Sequence, residues 1–427
     1  MTLTDSNGCA LSGTTPQALQ AYDSALAALL AWRTGVDAHL AAATQDAPGF
    51  VMAHVMKAWL RLGSRDPRVV ASARPIAASA AGLAANERER AHLVAIDAVL
   101  HDDYEGAKAR LGELLRAHPR DVLALHMAHV FDHVTGDVDN LIDRVKAVLP
   151  AWPSDLPGYH AVLAMQAFGL VENGEYGAAE QAAREALALN PSDARAHHDM
   201  AHVFEMTDRA DVGARWLLHH RDAWDETSVV ATHCWWHLAL FRFAQGDLQA
   251  ALELCDERIH VEHPAMLAEL IDATALLWRV QLAGGDIGAR WSGLSQAWAT
   301  HIDNGYCSFT DLHAMLAFAG AEDWDRADRL EANLIRAQAL ASRYGASTRR
   351  LGLPVCRAVS AFARADPMQA MTLLASVPAL AHHLGGSHAQ RDVLHLTLLA
   401  AVERVRRPRR RPAPSGRVAS LELATAQ

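Results

Sequence analysis

The chain has 427 residues, 51% hydrophobic and 21% charged, so it carries enough apolar side chains to bury a large core. Its formal charge of −10 argues against a general nucleic-acid binder, which needs a basic face. No run of 18 or more apolar residues reads as a membrane span.

The opening, MTLTDSNGCALSG, lacks the basic and apolar regions of a secretory leader, and residues 1–14 read as a flexible N-terminus. Five scattered cysteines (Cys9, Cys234, Cys255, Cys307, Cys356) have no C-x-x-C spacing. They fit buried thiols in a reducing cytoplasm, not a disulfide framework or a cysteine zinc site.

From residue 15 to 403 the pattern is helical and repetitive. DDYEGAKARLGELLRAHPRD (102–121) and GEYGAAEQAAREALALNPSD (174–193) align at 72 residues, with Tyr104, Ala107, Leu111, Leu114 and Pro119 falling on Tyr176, Ala179, Ala183, Ala186 and Pro191. A further 72 residues reach GDLQAALELCDER. The intervening GDVDNLIDRV (136–145) and DRADVGARWL (208–217) divide the period into steps of 34 and 38, the tetratricopeptide range. Small alanines let paired helices approach, Gly or Asp supplies the turn before each second helix, and no strand pattern is present. The fold expected is all-α, a tetratricopeptide-like superhelix of roughly eight to ten helical hairpins. Residues 404–427, rich in Arg, Pro and Ser, read as a disordered basic tail, either solubilising or meeting an anionic partner.

Histidine is the compositional anomaly, with 24 residues. In HHDMAHVFEM (197–206), His198, His202 and Glu205 stand at i, i+4 and i+7, within about 60° on a helical wheel. HCWWH places His233 and His237 at the same spacing on the next first helix, and LHMAHVFDH (125–133) repeats His129 and Asp132. About 1.3 H-x-x-x-H pairs are expected by chance at this histidine content, against three present, so the adjacent, co-facial placement weighs more than the count. Three uses suit the cluster: a hydrogen-bonded polar seam, acid–base chemistry, or chelation of a divalent transition metal by His198, His202, His233 and His237. Between the second pair lie Trp235 and Trp236, one to pack between repeats and the other, Trp236, to wall a planar ligand.

Further along, LIDATALLWRV sets Asp272 and Arg279 on one face, as an ion pair or as an anion clamp. CSFTDLHAMLAFAG offers Asp311 and His313, with Asp311 read as an N-cap or as half of a carboxylate–imidazole dyad. In GGSHAQRDVLHLTLL, the residues His388, Arg391, Asp392 and His395 form a polar stripe, a solvated face or part of a site.

On the segments HDMAHVFEMTDRADVGARWL, HCWWHLALFRFAQGDLQAALELCDERI, IDATALLWR, FTDLHAMLAF and GGSHAQRDV, the chain resembles the tetratricopeptide repeat protein 38-like family over about residues 20–400. The resemblance implies a long, usually cytoplasmic superhelix and marks His202, His237, Asp272, Arg279, Asp311, His313, His388, Arg391 and Asp392 as motif positions. Some bacterial relatives are associated with secondary metabolism, including toxoflavin-type azapteridine pathways. Asp208 stands where the family turn usually has Gly.

The function expected is that of an enzyme whose curled repeats enclose a His-rich chamber for a small polar or heterocyclic metabolite. His202 or His237 would be the base, with His313, His388 and Asp311 as further catalytic candidates. Arg279 and Arg391 would hold an anionic group, Asp272, Asp311 and Asp392 would orient partners, and His198, Glu205 and Trp236 would contact substrate. An electron-rich substrate would allow cofactor-independent oxidation by dioxygen. No phosphate loop or dinucleotide fingerprint is present, so no nucleotide cofactor is expected. The alternatives are a protein-interaction scaffold, the usual role of helical repeats, and a His-ligated metal-binding protein.

Overall fold

A computed structural model describes residues 3–259 and 266–406. These residues form a succession of packed helices with no β-strand among them. The only extended pairings described are two isolated bridges, Thr4 to Ala10 and Arg33 to Ser228.

Two kinds of helix alternate. Helices such as Val122–Thr135, Tyr159–Glu172, Ala194–Met206, Ala231–Ala244, Leu267–Leu282 and Ser308–Gly320 are buried nearly all round. Between them, Val138–Val148, Tyr176–Leu189, Ala210–His219 and Trp324–Ala337 bury one stripe and turn charged residues outward. That division follows from sequence: apart from the histidine-rich Ala194–Met206, the first set carries apolar or small residues on most faces, while the second confines them to one. Consecutive buried helices pack side by side from Tyr159 to Ala363 as an inner layer, with the amphipathic helices outside.

The turn from an inner to an outer helix recurs in one conformation. Residues 102, 136, 174, 208, 246, 284, 322 and 365 all have positive φ, so the spacings are 34, 38, 34, 38, 38, 38 and 43 residues. Asp208, at φ 55°, takes this left-handed turn although it is not glycine. Its successor Arg209 donates to the Phe204 carbonyl at 2.9 Å, which satisfies a helix-end acceptor. Close packing also demands glycine inside one outer helix: a Cβ at Gly213 would lie 2.3 Å from the Phe241 ring.

The chain curls until distant parts touch. Val229 N–H donates to the Trp32 carbonyl at 3.0 Å, and Arg343 N–H to Asp102 at 2.8 Å. The Arg65 guanidinium sits 4.7 Å above the Phe309 ring, and Arg391 pairs with Glu172 at 2.8 Å. The last helix, His388–Arg406, packs back against Leu267–Leu282.

Two boundaries differ from the sequence reading. Residues 3–14 are not loose: Cys9 and Leu11 are buried, and Arg88 donates to the Ala10 carbonyl at 3.1 Å. Residues 404–406 complete the last helix, with Arg404 3.8 Å above the Phe362 ring, while the rest of the expected tail lies outside the described residues. No described helix is long and apolar enough to cross a membrane.

Candidate functional site

The curl leaves a cavity of about 950 Å3 whose wall comes from segments far apart in sequence. Trp32, Arg65, His133, Phe168, Arg195 and Asp272 all border it. His198, His202 and His233 form one side. A volume near the upper end of the small-molecule range suits a metabolite, not a folded partner.

At this side four imidazoles converge. One ring nitrogen each from His198, His202, His233 and His237 lies within 4.8 Å of all the others. The Ala194–Met206 helix presents the first two one turn apart, and Ala231–Ala244, packed beside it, presents the second two. His198 Nε2 and His202 Nε2 are 3.0 Å apart, and the His202 and His237 ring centroids 4.4 Å apart.

Carboxylates hold the outer nitrogens. His233 Nδ1 is 2.7 Å from Asp272 Oδ2, and His237 Nδ1 is 2.9 Å from Glu205 Oε2. Each contact leaves Nε2 as the free nitrogen and fixes the ring's plane. The His237 Nε2 and His202 Nδ1 atoms are buried without a hydrogen-bond partner. Burial and the neighbouring imidazoles push His198 and His202 well below the ordinary histidine range; burial lowers His237 as well, against the pull of Glu205. All three are therefore neutral at pH 7, the state in which imidazole is a metal ligand.

The donor set is compatible with a bound metal ion. Four imidazoles suit zinc, copper, iron or nickel. Around a tetrahedral ion with bonds near 2.0–2.1 Å, ligand nitrogens stand about 3.3 Å apart, within the observed spread. Three rings have a carboxylate contact, His198 with Asp199 at 3.4 Å being the longest, and two buried ring nitrogens are left without a partner.

Other expected site residues are placed elsewhere. Arg279 is not an anion clamp: both guanidinium ends donate to backbone, at the Ala275 and Ala389 carbonyls, and it pairs with no carboxylate among the described residues. Arg391 is held by Glu172 and the Gly386 carbonyl. Asp392 is exposed and His388 half-exposed, and neither borders the cavity. Trp236 is fully buried with His233 stacked on it at 5.0 Å, so it supports an imidazole and walls nothing. Glu205 faces His237, away from any substrate.

Asp311 is neither an N-cap nor part of a dyad with His313. The cap position of that helix is Cys307, and Asp311 accepts from the Tyr344 hydroxyl at 2.9 Å, where burial pushes its carboxyl up to about 7. His313 donates through Nδ1 to the Phe309 carbonyl, lies outside the cavity wall, and is lowered to about 4 by burial.

The cavity also holds residues that sequence reasoning passed over. Arg195, three residues before His198 on the same helix face, carried a readable signal in the spacing. Trp32, Arg65 and Phe309 had none, because only the curl brings their segments to the same place. His129 does line the cavity, whereas its companion Asp132 points outward to Arg144 at 2.5 Å.

No known family model matches this chain.

Proposed function

We propose that this chain is a metal-dependent enzyme acting on a small molecule, with one divalent transition metal held by His198, His202, His233 and His237. One observation carries the reading: four imidazoles, two of them oriented by carboxylates from other helices, meet at the side of a metabolite-sized cavity. Three of the four border the cavity and His237 stands behind them. A tetrahedral ion would be closed by four ligands, so the reading favours a six-coordinate ion such as iron or nickel, with its remaining positions toward the cavity.

When bound, such an ion supplies a Lewis acid or redox centre at which a substrate oxygen or nitrogen is activated. The chain's own residues do the rest. Asp272 and Glu205 accept the Nδ1 protons of His233 and His237 and keep each Nε2 available. Phe168 and Trp32 shield the site and offer flat apolar surface to a planar substrate, Phe168 stacking on His198 at 6.3 Å.

We also read the fold as a tetratricopeptide-like superhelix of the family named above. The 34- and 38-residue spacing of the left-handed turns supports this. Closure of the superhelix on itself supports a small-molecule ligand over an extended peptide.

A metal-free reading has one observation in its favour: the His233–Asp272 pair borders the cavity and has the geometry of a general base with its orienting carboxylate. Elemental analysis and metal titration of the purified full-length chain separate the two. The metal reading predicts one ion per chain and a loss of affinity of at least a hundredfold in His202→Ala and His237→Ala. Metal-free protein with undiminished activity would reject it and leave the acid–base reading.

A further inference from the structure

Arg195 is 3% exposed and borders the cavity, yet no carboxylate lies within 4.0 Å of it among the described residues. Every other strongly buried arginine has a fixed commitment: Arg88 to Asp121, Arg391 to Glu172, and Arg279 to two backbone carbonyls. The neighbours of Arg195 are two imidazoles and an indole. One Nη stands 3.5 Å from His126 Nδ1, the other 3.1 Å from His129 Nδ1, and the guanidinium lies 5.1 Å from the Trp32 ring. Its Nε has no partner.

Two acids act on it from a distance, Asp193 and Asp199. Asp193 is engaged by His160 at 2.6 Å and caps its helix. Asp199 turns Oδ1 to His198 Nδ1 at 3.4 Å and forms no ion pair with the guanidinium. The two histidines that Arg195 touches are neutral, lowered by burial and by Arg195 itself. Arginine does not give up its proton, so this corner of the cavity holds a positive charge with no carboxylate in contact with it.

A second positive charge borders the same cavity. Arg65 contacts the Cys307 thiol at 3.6 Å and the Phe309 ring, with no carboxylate paired to it among the described residues. Of the two acids on the cavity wall, Asp66 is paired with Arg68 and Asp272 with His233. A cavity arranged this way attracts an anion, and a desolvated guanidinium pairs best with a planar, bidentate one.

We propose that the cavity takes a planar small-molecule carboxylate, its carboxylate group paired with Arg195, its ring beside Trp32 and Phe168, and its far end at the four imidazoles. The placement is set by one helix face: Arg195, His198 and His202 stand at i, i+3 and i+7 on Ala194–Met206. With two guanidinium nitrogens already leaning on histidines, Arg195 suits a carboxylate better than a phosphate, which needs more donors than this corner holds. This deepens the enzyme reading by naming its substrate class, and it rests on that reading only for the far end.

Benzoate, benzamide and phenyl phosphate are the probes, titrated calorimetrically into the full-length chain, metal-free and zinc-loaded. Benzoate is expected to bind metal-free protein, at least tenfold more tightly than benzamide or phenyl phosphate. Arg195→Gln should weaken benzoate at least tenfold while zinc affinity stays within threefold, and Arg195→Lys should fall between. Should Arg195→Gln not fold, the benzoate-to-benzamide ratio on the unaltered protein decides. Benzamide binding as well as benzoate, no benzoate binding at millimolar concentration, or benzoate binding that needs zinc and survives Arg195→Gln would each overturn the assignment. Phenyl phosphate binding more tightly than benzoate would overturn it as well. Loss of zinc binding with retained, Arg195-dependent benzoate binding would reject the metal centre alone.

Discussion

An imidazole serves as a metal ligand only when it is neutral and its ring is held in one orientation, and the two histidine pairs meet these conditions differently. His198 and His202 owe their neutrality to burial and to one another; His233 and His237 are oriented by Asp272 and Glu205. Removing an orienting carboxylate without changing shape should therefore cost affinity and not the site. Asp272→Asn and Glu205→Gln are each expected to weaken zinc binding about 10- to 100-fold with stoichiometry unchanged, measured by competition with a chromophoric chelator. Unaltered affinity in both would mean that the carboxylates do not act through the imidazoles.

The histidine spacing was legible because i, i+4 pairs are a property of one helix. The carboxylate assignments were not, because they are made between helices. Glu205 reads as a partner of the histidines on its own helix, yet it reaches across to His237. Asp272 reads as a partner of Arg279, yet it turns to His233. A co-facial arginine is equally able to donate to backbone carbonyls, and Arg279 does so.

At the scale of the element, the turns repeat more faithfully than the helices they join. The left-handed position is glycine at 136, 174, 246 and 284 but Asp102, Asp208, Glu322 and Ala365 elsewhere. Alanine has no side-chain hydrogen bond to offset the steric cost of φ 64°, which is about 1–2 kcal/mol, part of it returned because glycine orders less readily. Ala365→Gly should raise unfolding stability by about 0.5–1 kcal/mol in urea titration. A loss of stability would mean that the methyl group packs usefully. The 72-residue ruler located these turns because Gly, Asp and a following capping residue are local signals. The later, 43-residue step was less regular in sequence as well, and there the composition signal faded.

Closure of the curl belongs to the whole molecule. Glu172 ends one inner helix and receives both Arg391 at 2.8 Å and the His388 N–H at 2.9 Å, more than 210 residues away in sequence. Both side chains of the ion pair are almost fully buried. Glu172→Gln leaves the Arg391 charge uncompensated and should lower stability by about 3–5 kcal/mol in urea titration. A change under about 1 kcal/mol would show that the ends are held by other contacts. No local pattern announces such a pair, which is why Arg391 reads as a substrate clamp in sequence.

The buried titratable groups also set how the molecule responds to acid. Among the described residues, nine histidines of the interior and cavity wall (126, 129, 133, 197, 198, 202, 237, 301 and 313) are lowered, chiefly by burial. Below pH 6.5 the unfolded chain takes up these protons while the folded chain does not, so their contribution is present above 6.5 and lost as pH falls. Four buried acids work in the opposite sense: Asp5 and Asp132, raised to about 6, Asp311, raised to about 7, and Asp199, raised by burial. The histidines outnumber them more than two to one. Metal-free protein should accordingly lose stability steeply between pH 6 and 5, at up to about 1.4 kcal/mol per pH unit for each excess proton. Bound metal should move that loss to lower pH. A urea midpoint that stays flat across this range would contradict the assignment of neutral histidines.

All of this converges on whether two adjacent inner helices aim four imidazoles at a single ion. X-ray absorption spectroscopy of the zinc-loaded, full-length chain reads that directly. The account predicts a shell of about four nitrogens at about 2.0–2.1 Å with the multiple-scattering signature of imidazole. A shell dominated by oxygen or sulfur, or zinc that washes out before it can be measured, would contradict it.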